Sequence, residues 1–135
     1  MLFRSEALHV GDVVAHEAIH VIAARQPSPQ KRALTDAFLR GCPANASVGR
    51  LSTIEEPLAV VFGNMLFTRT FRPQRYRYTK RWYGDPWVDV SAKLLFSPVV
   101  ERFTEGGRVT DVVAEQGVQL CAALLSLRGG SPARK

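Results

Sequence analysis

Apolar side chains recur every three to four residues at Leu8, Val10, Val13, Val14, Ile19 and Ile22. That is the period of an α-helix, and it predicts one over about residues 8–25. "QPSPQ" follows, and two prolines so close together cannot continue a helical ladder. A second, shorter helix is expected over 31–40, with Gly41 placed to cap its C-terminus. "GCPANASVG" is a loop by composition. The run "STIEEPLAVVFGNMLFTR" then has capping-box spacing at Thr53 and Glu56 and a proline at 57, tolerable in a first turn; it predicts a third helix over 53–67. The segment "TRTFRPQRYRYTKRWYGDPW" has alternating character and turn residues, and reads as an irregular excursion or a weak hairpin over 69–84. Asp85-Pro86 is a cap followed by a first-turn proline and opens a fourth helix to about residue 103. "EGG" breaks it, and a fifth helix runs from Thr110 to Leu127, closed by Gly129 and Gly130. The expected fold is mainly α: a compact bundle of about five helices with little or no sheet, with a frayed tail at 129–135.

The chain has 135 residues, which makes one domain the expectation, and it is long enough to bury a core without a metal or disulfide staple. No apolar run reaches the length of a membrane span; "LAVVFGNMLF" is too short and carries Asn64. "MLFRSEALHV" places an acid and a histidine where a signal peptide needs an apolar stretch, so a cytoplasmic location is the expectation. Cys42 and Cys121 lack CxxC spacing and a nearby histidine, which excludes a zinc knuckle. Cys121, in "VQLCAALL", reads as a small buried hydrophobe, and Cys42, in a loop, as an exposed thiol. The formal net charge is +6, and residues 69–81 hold six basic side chains and no acid. Such a segment suits an anionic partner, single-stranded nucleic acid included, where arginines meet phosphates and rings stack on bases.

The chemistry concentrates in "VVAHEAIHVI". Residues four apart on a helix share a face, so His16 and His20 can aim both imidazoles at one ion. Glu17 lies beside them, placed to take a proton from water activated by that ion. The flanking Val13, Val14, Ala18, Ile19, Val21 and Ile22 imply a helix buried nearly all round.

This stretch resembles the extended motif of the zincin metallopeptidases. Ala23 and Gln26 stand where the metzincin branch has a glycine and a third histidine. The chain is more similar to the gluzincins, in which a glutamate of a later helix, within E-x-x-A, completes the zinc ligands. The resemblance implies one Zn²⁺ held by His16, His20 and Glu56, the last in "EEPLA", with Glu17 as general base of peptide hydrolysis. Glu55 remains open as an alternative third ligand, and His9 lies too far along the helix. The resemblance also implies a donor for the oxyanion, with Tyr76, Tyr78 and Tyr83 as candidates. Asp12, one turn before His16, could support an imidazole, and Asp111 and Glu115 could do so only if the last helix packs against the site. The likeness covers residues 8–67. It lacks the sheet on whose edge strand gluzincins bind extended peptide, so a partner chain supplying that strand joins peptide or protein substrate among the expected partners. Two other readings compete: a non-catalytic, zinc-stabilised interaction module, and a nucleic-acid-binding helical domain using 69–81.

Overall fold

A computed structural model describes residues 2–42 and 52–128 of the chain. Among these residues there is no strand, and helices follow one another as α1 (Leu2–Arg25), α2 (Ser28–Arg40), α3 (Ser52–Ala59), a π-helical stretch (Val60–Leu66), α4 (Phe67–Phe71), α5 (Pro73–Tyr78), α6 (Pro86–Thr104) and α7 (Val109–Arg128). The expected glycines at 129 and 130, the frayed tail and the loop over 43–51 lie outside the described residues.

Proline sets several starts. Pro27 precedes α2 in extended conformation and Pro29 occupies its first turn, so α2 begins three residues earlier than its apolar period suggests. Asp85 caps α6 as expected: its side chain accepts from the backbone N–H of Trp87 at 2.9 Å and of Val88 at 3.1 Å. Pro57 falls inside α3 rather than in its first turn. Gly106 ends α6 with φ of 77°, a left-handed conformation that glycine adopts without strain.

α6 lies at the centre, packed against α7, α3 and the π-helical stretch; α2 covers α7, and α1 lies on the π-helical stretch, α3 and α4. The buried cluster joins Phe38 of α2 to Ile54, Val60, Val61 and Met65, then to Trp87, Leu95, Phe96 and Val99 of α6 and Val112, Leu120 and Leu124 of α7. Trp87 is fully buried and its indole N–H donates to the Leu120 carbonyl at 3.3 Å.

Three expectations need correction. First, the segment at 69–84 is not a hairpin: α4 and α5 take it to Tyr78 with a break at Arg72, and the strap from Thr79 to Asp85 is irregular. Second, α1 is not buried all round. Val10, Val13, Val14, Val21 and Ile22 are each more than half exposed, because the bundle lies on one side of the helix only. The inner face of α1 is Gly11, Asp12, Ala15, His16, Ile19, His20 and Ala23, all but Ile19 small or polar, and the described part of α1 supplies no member of the hydrophobic core. Third, Cys42 is not an exposed thiol: it is 3% exposed and disulfide-bonded to Cys121, with Cα atoms 5.3 Å apart. The bond ties the end of α2 to α7 where Gly41 meets Gly117 backbone to backbone, an approach that a Cβ at Gly41 would block.

Candidate metal centre

The π-helical stretch builds the site. Gly63 sits so close to α1 that an added Cβ would overlap the Cα and N of His16. That approach sets α1 flat on the stretch and turns Asn64 toward His16. α3 enters from the other side and presents Glu55 and Glu56 in successive positions. A widened helical turn beside a functional cluster is a recurrent use of the π geometry.

The imidazoles are fixed from behind. His16 Nδ1 lies 2.7 Å from Asn64 Oδ1, and His20 Nδ1 lies 2.8 Å from Glu55 Oε1. Amide and carboxylate oxygens only accept, so both Nδ1 atoms donate. Each neutral ring therefore turns an Nε2 lone pair inward. There the two Nε2 atoms are 3.1 Å apart, with Glu56 Oε1 2.9 Å from His16 Nε2 and Glu56 Oε2 3.1 Å from His20 Nε2. One ligand atom from each of the three residues falls within 4.8 Å of the others.

Two nitrogens bound at tetrahedral angles to one ion at about 2.0–2.1 Å sit about 3.3 Å apart, close to the spacing here. Lone pairs and a carboxylate converging with no proton between them repel one another, and a cation at their centre would attract each of them more strongly than they repel. A proton competes for the same place. The hydrogen bond to Glu55 raises the proton affinity of His20 above the ordinary imidazole value of 6.5; burial opposes this, and the charges of Glu56, Glu55 and Glu17 add to it. The group His16, His20 and Glu56 could thus hold a metal ion.

Around these three, the sequence candidates sort themselves. Glu55 is not a member of the converging group but the support of His20, the arrangement by which ligand histidines are held in register. Glu17 is exposed on α1, and its charge is felt at both His20 and Tyr83. Of the three tyrosines only Tyr83 reaches the centre: its ring lies nearly parallel to that of His16, at 8° and 6.0 Å between centroids. Its hydroxyl bonds to Glu56; that bond, then burial, then the charges of Glu56, Asp85 and Glu17 push its pKa up to about 12, so it remains a donor at neutral pH. Tyr76 instead packs on Trp82 and Phe96, and Tyr78 is 80% exposed with its ring in solvent. Asp12 is buried one turn before His16, but Asn64 has taken the His16 Nδ1 it was expected to support. Asp111 and Glu115 pair with Arg108 and Arg102 along α6 and α7. The side chain of His9 lies outside the described residues.

Asn64 and Asp89 were missed. Asn64 stands eight residues after Glu56, where an α-helical count gives no reason to aim it at His16; only the π turn does. The basic segment is less free than its composition suggests. Arg69 stacks on the Phe96 ring at 4.9 Å, and Arg81 donates to the carbonyls of Tyr83 at 3.1 Å and Gly84 at 2.6 Å. Arg77 and Lys80 stay exposed.

Comparison of the chain with protein-family models, with curated proteins and with solved structures gives no match in any of the three. Among the described residues no helix is long and apolar enough to cross a membrane.

Proposed function

We propose that the chain is a small zinc-dependent peptidase of gluzincin type. The observation that carries the reading is the convergence of both imidazole Nε2 atoms and both Glu56 oxygens on one point, with an acid on one flank and a phenol donor on another. Two nitrogens and a carboxylate are the donor set zinc takes when a fourth position is left for chemistry. Bound there, zinc would act as a Lewis acid, polarising a carbonyl and lowering the pKa of water. Asn64 and Glu55 hold the two imidazoles in the tautomer that ligation requires. Glu17 is exposed on α1, so its carboxylate can accept a proton from the attacking water and return it to the leaving amine. Tyr83 Oη, protonated well beyond neutral pH, turns its single O–H from Glu56 to the carbonyl oxygen as that oxygen gains charge.

A second reading is favoured by one feature. Because the described side chains of α1 add nothing to the hydrophobic core, a metal in this cluster would fasten α1 to the bundle, as in a non-catalytic zinc-stabilised module. One experiment separates the two. Purified protein is assayed for zinc by elemental analysis and for cleavage of unfolded casein, with Glu17→Gln and Glu56→Ala beside the wild type. The peptidase reading requires near-stoichiometric zinc in the wild type and in Glu17→Gln, cleavage by the wild type alone, and neither in Glu56→Ala. Zinc without cleavage in the wild type leaves the structural module; no zinc in any of them defeats both.

A further inference from the structure

Tyr83 reaches the centre from a strap, Thr79 to Asp85, that has no regular structure of its own. Nothing in a seven-residue irregular segment fixes a phenol to hydrogen-bond precision unless something else grips the backbone. α6 provides the grip. Asp89 is 7% exposed, and its Oδ1 accepts from the backbone N–H of Trp82 at 2.5 Å and of Tyr83 at 3.2 Å. Its Oδ2 meets Lys93 Nζ at 2.6 Å, and the same ammonium donates to the Lys80 carbonyl at 2.5 Å. The Arg81 guanidinium closes the other side on the carbonyls of Tyr83 and Gly84. Trp82, between the gripped amides, packs its ring on Tyr76, which packs in turn on Phe96 of α6.

A buried carboxylate is costly, and a cap on one helix needs only one. Asp85 already caps α6, so Asp89 is not spent on the helix end. Both of its oxygens serve the strap directly or through Lys93. We infer that Asp89 is the positioning residue of the metal centre: through the amides of Trp82 and Tyr83 it holds the Tyr83 hydroxyl on Glu56, and with it the orientation of that ligand. The inference rests on the cluster binding zinc and does not require that the protein cleave peptides.

If Asp89 acts through Tyr83, removing it should matter to the metal only while Tyr83 is there to be positioned. The test is a double-mutant cycle on zinc affinity, read by competition with a chromophoric chelator, using wild type, Asp89→Ala, Tyr83→Phe and the double variant. Loss of a partner that orients a ligand typically weakens metal binding about 10- to 100-fold, and each single variant should fall in that range. The double variant should bind no more weakly than Tyr83→Phe alone, although Asp89→Ala lowers thermal stability in both backgrounds. Asp89→Asn keeps an acceptor oxygen for the two amides and should recover most of the loss. Multiplying losses in the double variant, or a zinc affinity untouched by Asp89→Ala, overturns the inference and leaves the zinc site standing. A wild type that takes up no zinc overturns both. Should Asp89→Ala not fold, amide exchange on the wild type decides: the Trp82 and Tyr83 amides, which have no backbone acceptor among the described residues, should be protected, and free exchange at both removes the clasp.

Discussion

Substituting Gly63 by alanine tests the close approach on which the whole site depends. Two effects oppose one another. Gly63 lies within a helical stretch, and replacing a helical glycine by alanine favours folding by about 1 kcal/mol through backbone entropy. Against this, the new methyl would come within 3.0 Å of three backbone atoms, His16 Cα, His16 N and the Ala15 carbonyl carbon. These atoms cannot rotate out of the way as a side-chain end could, so α1 must lift from the π-helical stretch by roughly 1 Å. Overpacking of that kind costs about 1–3 kcal/mol or more, and against rigid backbone the upper end applies, so the clash wins by up to about 2 kcal/mol and Tm should fall by as much as roughly 8 °C. The effect on the site is larger, because lifting α1 lengthens the 2.7 Å bond to Asn64 and the 2.9 Å approach to Glu56 together. A misplacement of about 1 Å can cost on the order of 100-fold in a preorganised site, and zinc affinity should drop by at least tenfold. Thermal melts by circular dichroism and chelator competition read the two quantities on the same samples. A Gly63→Ala protein that melts higher than the wild type with unchanged zinc affinity would show the entropy term acting unopposed, and would refute the packing of α1 on Gly63.

Four further outcomes are expected. Glu56→Ala should abolish zinc binding, whereas Glu55→Ala, which removes only the support of His20, should weaken it about 10- to 100-fold in the same competition assay. Zinc at a hundred times its dissociation constant should stabilise the fold by about 2.7 kcal/mol, raise Tm by roughly 10 °C and protect α1 from limited proteolysis; chelator should expose α1 first. The Cys42–Cys121 bond closes a loop of 79 residues, worth about 4.5 kcal/mol in the chain-entropy account, so reductant should move the urea midpoint sharply, and an unmoved midpoint would mean the thiols are not paired. For Asp89, burial pushes the carboxyl up, but the Lys93 hydrogen bond and the Trp82 and Tyr83 amides outweigh it and bring it below the ordinary 3.8. A lowered carboxyl stabilises the fold above its unfolded value and loses that contribution as pH falls through its folded one, so the stability gap between wild type and Asp89→Asn should be full near neutrality and close below about pH 4.

Most of the helical fold could be read from local signals, because they act within a few residues. Asp85 does cap α6, and the apolar period located α7 to within a residue at either end, but it began α1 six residues late and ran the third helix over 53–67 without its change to π geometry at Val60. His16 and His20 converge because spacing on one helix dictates it. Glu56 was preferred over Glu55 only on the register of a resemblance; what separates them in three dimensions is that Glu55 faces the outer nitrogen of His20 and Glu56 the inner ones. Tyr83 could not be ranked above Tyr76 and Tyr78, because its place depends on Asp89, six residues away on another element, and no periodicity connects them. The burial of α1 was misjudged for a related reason. Valines at every turn signal a helix but not how many sides of it are covered. The Cys42–Cys121 pair joins residues with no sequence relation at all, and disulfides of this kind persist where the surroundings are oxidising.

The widened turn at Val60–Leu66 holds one residue more than an α-helix of the same span would need. Removing that residue would let the ladder close as an α-helix and turn the side chains on either side of the deletion relative to one another, core members Val60, Val61 and Met65 among them. The glycine on which α1 rests and the amide that steadies His16 would both swing out of place. The seating of α1 against the cluster thus hangs on a surplus of one residue at one point in the chain.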